Sequence, residues 1–478
     1  MESIWTKTCE IEARAPLKGD TKTEIAVIGA GMAGVLIASA LQDAGHAVIV
    51  LEANRIASGQ TRGTTAKITS QHGLCYHKLI RSHGREKAAQ YAAANEAAIA
   101  EYRRMVRQHE IACDLQELNA CVYGSSVEAL EEEARCAKAL GIDASFTVPS
   151  ELPFPAAGAV CFAHQAQFHP LKFLRAVAEP LTIFEQTPAM TVEDDRIETP
   201  HGTVRAERIV FACHYPFVNF PGLYFTRMHQ ERSYVLALEN APDVHGMWIG
   251  EGEHTISLRN YGGLLLLGGG GHRTGENPAG GTYETLRQKA RLWYPQSREA
   301  ACWSAQDCVT ADDVPYIGQY AASTPSWYVA TGFRKWGMSS SMTAAMVLRD
   351  MLSGRKSPYE EVFDPQRFGL KSAAGVAVEG GHAVKGLTQR LFQIPSEQAE
   401  HIPPGHGGVV ELGGEKAGVY RDEDGTLYPV SIRCRHLGCQ LAWNPDEKSW
   451  DCPCHGSRYD RYGRLLSGPA QEDIAQES

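Results

Sequence analysis

The chain has 478 residues, 43% of them hydrophobic, enough for two or three domains with cores of their own. Its 46 basic and 56 acidic residues leave a formal charge of −10 with no basic block, which argues against a nucleic-acid partner. The N-terminus lacks the apolar stretch of a signal peptide, and no apolar run approaches the roughly 18 residues of a spanning helix, so a soluble, cytoplasmic protein is expected. Nine of the 13 cysteines are scattered through the first 310 residues and read mostly as buried thiols, while the other four crowd two short loops near the end.

In chain order, the first informative stretch is "EIAVIGAGMAGVLIASALQDAGHAVIVLEA", residues 24–53. An apolar strand leads into Gly29, Gly31 and Gly34 at G-x-G-x-x-G spacing, a helical pattern follows, and a second strand ends at Glu52. Gly29 permits the tight turn, Gly31 lets a pyrophosphate approach the backbone, and Gly34 lets helix and strand pack closely. The helix N-terminus attracts phosphate charge, and Glu52 is placed to accept from ribose hydroxyls. The glycine pattern does not separate NAD from FAD. Residues 86–109 are alanine-rich and predict a long helix, and 126–141 predict a second one ending at Gly141. Residues 216–300 alternate strand-like runs such as "SYVLALE" and "GGLLLLGGGGHRTG" with glycine turns.

Four segments decide the dinucleotide by resemblance: "ASGQTRGTTAKITSQHG" (57–73), "RIVFACHYPF" (208–217), "CWSAQDCVTADDVPYIG" (302–318) and "YVATGFRKWGMSSSMTAAMVLRDMLSG" (328–354). They resemble the D-amino-acid oxidase and glycine oxidase superfamily over roughly residues 24–370. That resemblance implies an α/β FAD-binding Rossmann-like domain with an antiparallel substrate-binding sheet. It also implies flavin contacts from Thr64, Thr65, Ala66 and Lys67, and from Gly332, Gly337 and Met338 at the closing turn and helix. Relatives that oxidise N-methyl glycines carry a flavin-bonded histidine where this chain has Lys67, so FAD is expected to be held without a covalent bond. Lys335, beside Arg334, matches the arginine that holds the substrate carboxylate in glycine oxidases; lysine keeps the charge but loses the bidentate fork. His272 and Arg273, after the strand-like run of leucines, are expected near the substrate.

Residues 371–400 read as a linker, and 401–478 as a module of short antiparallel strands. Its two loops are "CRHLGC" (434–439) and "CPCHGS" (452–457). On ligand chemistry alone, two Cys/His pairs make either a tetrahedral zinc site or a two-iron cluster with thiolates on one iron and imidazoles on the other. The C-x-H-x-x-C and C-x-C-H-x-S spacings closely resemble the Rieske domain of respiratory and photosynthetic quinol oxidases. The resemblance implies a [2Fe-2S] cluster held by Cys434 and Cys452 on one iron and His436 and His455 on the other. It implies a Cys439–Cys454 disulfide, hydroxyls of Ser457 and Tyr459 bonded to cluster sulfur, and a covering proline loop starting at Gly468–Pro469.

Together these imply a flavoprotein that oxidises a C–N bond of a small amine or amino acid and passes electrons to its cluster. Histidine ligation raises such a centre to roughly −150 to +300 mV, against about −400 mV for all-thiolate plant ferredoxins, which favours acceptance from reduced flavin. Electron entry through the cluster, driving a reductive or oxygenase-like reaction, and a redox sensor without turnover are the alternatives. The expected partners are a small-molecule substrate and an external electron acceptor or donor.

Overall fold

The computed structural model describes residues 2–252, 255–367, 401–412 and 415–475. The linker expected at 371–400 lies outside them. Strand β1 (Thr21–Ile28), helix α1 (Met32–Asp43) and β2 (Val48–Leu51) open the chain as the sequence predicts. Helix α2 (Arg85–Gln108) matches the alanine-rich stretch, and α3 (Val127–Ala139) is capped by Ser126, whose hydroxyl accepts from Ala129 N at 3.2 Å. There follow β3 (Gly202–Phe211), β4 (Met228–Glu239), β5 (Leu264–Arg273), β6 (Arg298–Thr310), β7 (Tyr316–Ala321), β8 (Thr324–Thr331) and α4 (Gly337–Leu352).

Two sheets result. In the first, β8, β3, β1 and β2 run parallel in that spatial order, with β7 antiparallel at the edge. Both faces of a parallel sheet are covered, so β1 reads as a continuous apolar run, and Ile25 to Ile28 are buried. In the second, β4 lies between β6 and β5 in an antiparallel ladder. This is the α/β plus antiparallel arrangement expected. No helix of the described residues is long and apolar enough to cross a membrane.

Two departures concern sulfur. Cys121 and Cys161 face each other across a register pair and form a disulfide, where the sequence reading had buried thiols. Cys439 and Cys454, expected as a bridge, are thiols whose sulfurs lie within 4.8 Å of each other.

The C-terminal module has a three-stranded sheet (Gly407–Leu412, Glu415–Arg421, Leu427–Ser431) and a four-stranded one (Ala442–Asn444, Ser449–Asp451, Arg458–Asp460, Leu465–Ser467). Cys434, Cys439, Cys452 and Cys454 sit in its core with Trp450 and Tyr459, which explains how so small a module is organised around its loops. The module is docked on the antiparallel sheet. Glu447 receives Arg232 Nε at 3.0 Å and Nη2 at 2.5 Å from β4, and Arg458 Nη2 at 3.1 Å from its own module. Asp446 accepts from Asn277 Nδ2 at 2.9 Å and from the backbone N–H groups of Gly281 and Thr282 at 3.0 Å, capping the helix Thr282–Trp293. The approach is tight: a Cβ at Gly456 would lie 2.6 Å from Gln230 Cβ, and one at Gly275 would lie 2.7 Å from Pro453 N.

Burial alone would raise the Glu447 carboxyl, but Arg232, Arg458 and the Ser304 hydroxyl outweigh it and hold it at about 2. Its pKa is depressed, so its stabilisation is complete above the unfolded value of about 4.3 and is lost as pH falls from there toward 2. Glu447→Gln is expected to cost roughly 3–5 kcal/mol of unfolding free energy at pH 7, because it leaves buried guanidinium charge uncompensated. Urea denaturation of variant and parent should differ at pH 7 and converge in acid; equal stability at pH 7 would remove the ion pair from the docking energetics.

Candidate functional site

The first βα turn opens on a cavity of about 600 Å³. Gly29 has φ +106°, and a Cβ there would lie 2.7 Å from the Ala212 carbonyl oxygen. Gly34 does not line the cavity; a Cβ there would lie 1.8 Å from the Gly29 carbonyl oxygen, so its part is close helix–strand packing. Gly31 faces the cavity, with Thr61 Oγ1 at 3.4 Å as the nearest atom a Cβ would meet, and α1 starts there without a side-chain cap. Met32 N, the first N–H of α1, donates to Thr61 Oγ1 at 3.0 Å, so the open backbone at Gly31 and the later N–H groups of the first turn form the cradle a pyrophosphate requires. Glu52 lines the cavity, its carboxylate fixed by Ala30 N and Asn54 N, each at 2.8 Å. Burial raises its pKa, the two backbone donors lower it, and Glu185 raises it further.

Thr64, Thr65, Lys67, Gly332, Gly337 and Met338 line the same cavity. Ala66 stands behind it, fully buried at φ +54°, with its carbonyl accepting from Arg259 Nη1 at 2.9 Å. Gly332 has φ +76°, and a Cβ there would lie 2.3 Å from Thr310 Cγ2. Lys67 is buried and donates to the Trp248 carbonyl at 3.1 Å and Ser257 Oγ at 2.5 Å. Burial, then Arg259 and Lys335, pull its pKa down to about 7.

Arg334 and Lys335 line both this cavity and an adjoining one of about 550 Å³ that also takes Glu231 and Asp313. Arg334 Nη2 lies 3.3 Å from Asp313 Oδ1, which directs that cation away. Asp307 on β6 also lines the first cavity; desolvation pushes it up to about 7 against the pull of Lys335. The sequence reading missed Asp307, whose one signal is that it is the sole charged residue of that strand after Glu299. His272 and Arg273 sit elsewhere than these two cavities. His272 Nε2 bonds to Tyr234 OH at 3.0 Å, and Arg273 Nε donates to the Pro453 carbonyl at 3.3 Å. At the end of β5, Arg273 thereby meets the docked module, while His272 stays against β4.

The cysteine loops converge. The sulfurs of Cys439, Cys452 and Cys454 lie within 4.8 Å of one another, and Cys434 is buried with Tyr459 OH at 3.7 Å from its Sγ. Hydrogen bonding with Cys452, burial and the neighbouring sulfur push the Cys434 thiol up, so a thiolate at Cys434 requires a positive centre beside it. His436 and His455 turn Nδ1 toward Nδ1 at 3.3 Å. Burial, then the other imidazole, pulls His436 down to about 3, and burial with Arg273 pulls His455 down to about 4; both are neutral, the metal-binding state. This donor set fits a two-iron cluster. Ser457 Oγ accepts from Ala470 N at 3.0 Å, tying the proline loop to the cysteine loops.

The imidazole edges face the rest of the chain. His436 Nε2 donates to Asn219 Oδ1 at 2.7 Å. The His455 ring meets Phe225 edge-on at 5.8 Å and lies 6.5 Å from Tyr215, which also lines the large cavity. Gln230 Nε2 donates to the His455 carbonyl at 2.6 Å, and Gln306 Nε2 to the Gly456 carbonyl at 2.8 Å. No motif announces these junction residues, because each is an ordinary amide or aromatic until the module docks.

Comparison with known proteins agrees with this geometry. Residues 24–351 match the FAD dependent oxidoreductase family, and residues 393–477 match the Rieske [2Fe-2S] domain. A Bacillus subtilis protein named as a Rieske 2Fe-2S iron-sulfur protein, YhfW, is 35% identical over 99% of this chain and 97% of its own length. The iron-sulfur subunit 1 of the cytochrome b6-f complex of Cyanophora paradoxa is 36% identical over 21% of this chain and 44% of its own. Among solved structures, glycine oxidase from Geobacillus kaustophilus is similar with TM-score 0.60 and 18% identity, covering 73% of this chain and 99% of its own. L-proline dehydrogenase from P. horikoshii has TM-score 0.62 and 18% identity, covering 74% and 98%. The chain belongs to the FAD-dependent oxidoreductase family and carries a C-terminal Rieske [2Fe-2S] domain.

Proposed function

We propose that this oxidoreductase oxidises a carbon–nitrogen bond of a small amine or amino acid at its flavin and passes the electrons singly to its own cluster. The observation that supports this most is the segment from Ala212 to Gln230: its Tyr215 walls the dinucleotide cavity, and its Asn219, Phe225 and Gln230 meet the histidine loops. A cluster whose imidazole edge is spent on the flavin domain has that domain as its nearest redox partner.

In this reading the Gly29–Gly31 turn and the N–H groups of α1 beyond Met32 receive the pyrophosphate, and Glu52 the ribose. Thr64, Thr65, Lys67, Gly332, Gly337 and Met338 bound the flavin ring, with Ala66 shaping the turn behind them. Cys434 and Cys452 bind one iron, and His436 and His455 the other. Bound FAD supplies two-electron oxidation of a C–H beside nitrogen, and the cluster supplies a one-electron acceptor. Lys335 holds the substrate carboxylate, while Asp313 keeps Arg334 aside. Two electrons leave the substrate as it goes from amine to imine, so the cluster must turn over twice and an external acceptor must take both.

Anaerobic stopped-flow with a panel of amines and amino acids tests the order. Flavin bleaching should precede cluster reduction; cluster reduction with the flavin still oxidised would sink the proposal. Tyr459→Phe should lower the cluster potential, since hydrogen bonds to the sulfurs favour the reduced state. It should slow the second phase and leave the first unchanged, and a potential equal to the parent's would remove Tyr459 from that role.

The cavity should also respond to pH. As pH rises through about 7, Lys67 loses its positive charge and Asp307 gains a negative one. A carboxylate inhibitor, followed by its perturbation of the flavin band, should therefore bind best below pH 7 and weaken at least about tenfold by pH 8. Asp307→Asn should flatten part of that slope. Binding that tightens with pH would contradict the carboxylate assignment.

A further inference from the structure

We propose that the last loop of the Rieske domain, Leu465–Gln471, is the outer wall of the FAD site and holds the adenosine half of the cofactor. Seven consecutive residues of that loop line the same cavity as Gly29, Gly31 and Glu52. The loop's second half is fixed on two sides. Near the cluster, Ala470 N donates to Ser457 Oγ at 3.0 Å, and Gln230 Nε2 reaches the Gly468 carbonyl at 3.4 Å. At the far end, Gln471 Nε2 donates to the Ala189 carbonyl at 3.0 Å.

That far end is the adenosine end. Glu52 N donates to the Phe184 carbonyl at 2.9 Å, Thr187 N to the Glu52 carbonyl at 2.8 Å, and Gln186 N to the Asn54 carbonyl at 3.0 Å. The segment leading to Ala189 is thereby laid along the acid that closes the second strand, where a dinucleotide fold receives the adenosine ribose. Ala53, Asn54, Pro188, Ala189 and Met190 line the cavity there. Leu466 lines the cavity and is 52% exposed, a half-uncovered apolar side chain. A flat purine against Leu466 and Pro469 would cover that surface and lose its own water. The consequence is a linkage: a loop pinned to the cysteine loops closes the neighbouring cofactor site, so each cofactor stabilises the fold the other requires.

The test uses the full-length protein with its cluster in place. FAD affinity is measured by quenching of free-flavin fluorescence after the flavin is removed and titrated back. Leu466→Ala and Gln471→Ala should each weaken FAD, and the double variant by about ten- to a hundredfold, the range expected for losing a leucine's contact. Iron content and the cluster's visible spectrum should stay at the parent level. ADP, which lacks the flavin, should lose competitive strength by the same factor; unchanged ADP affinity beside weakened FAD would overturn the adenosine assignment. Leu427→Ala, exposed elsewhere on the module, should leave FAD binding at the parent value. Unchanged FAD affinity in the double variant with iron intact would overturn the proposal. If the double variant loses iron, Leu466→Ala decides, since its half-exposed side chain contributes little to folding. Hydrogen exchange gives a second reading: adding FAD to the flavin-free protein should slow exchange in the peptide spanning 463–472, and exchange there indifferent to FAD would likewise refute the wall.

Discussion

Glu447 belongs to the C-terminal domain yet is buried beneath Arg232 of the antiparallel sheet, with Arg458 and Ser304 completing its shell. A carboxylate removed from water is costly unless opposite charges and hydrogen bonds surround it. Here the compensation comes from both domains, so the cost is met only when they are docked. Asp446 beside it repeats the logic by capping a helix of the other domain. The rest of the architecture depends on this joint. It sets Gly456 against Gln230 and Gly275 against Pro453 too closely for any side chain between them.

Docking in that register turns the cluster's imidazoles inward. His455 is 2% exposed, and His436 spends its outer nitrogen on Asn219. A cluster bound here has a fixed neighbour, and the aromatic Tyr215 belongs both to that neighbour's contact and to the flavin cavity. The same domain then reaches past the cluster with its last loop to the dinucleotide cavity. Two sites that the sequence keeps four hundred residues apart share walls in the folded chain.

The sequence carried what is local. Glycines at G-x-G-x-x-G spacing with flanking strands, and the Cys-x-His and Cys-x-Cys-His loops, encode their geometry within a few residues, and the folded chain places them accordingly. Contacts made between distant segments were not legible. That Arg273, after a leucine-rich strand, meets the Pro453 carbonyl becomes visible only once the module is docked. Cys121 and Cys161 are forty residues apart and become neighbours only through strand register. Asp307 is one acid among many until the cavity desolvates it. In each case the information is in pairing, which a single chain read in order does not display.

The chemistry of the joint bears on electron direction. Side chains that meet the histidine loops from the flavin domain are mostly amides and aromatics: Asn219, Gln230, Gln306, Tyr215 and Phe225. Amides satisfy the buried carbonyls of His455 and Gly456 without placing a fixed charge beside a centre whose own charge changes by one. Arg273 is the exception, and its sign is informative. Its guanidinium donates to the loop at Pro453 and so sets a fixed positive charge beside the cysteine and histidine loops. A positive field that favours negative charge on a thiol also favours an added electron on the cluster, which raises the potential in the same direction as the Tyr459 hydroxyl beside Cys434. Arg273 thus bears on the cluster's potential, in the direction that the proposed flow of electrons from flavin requires.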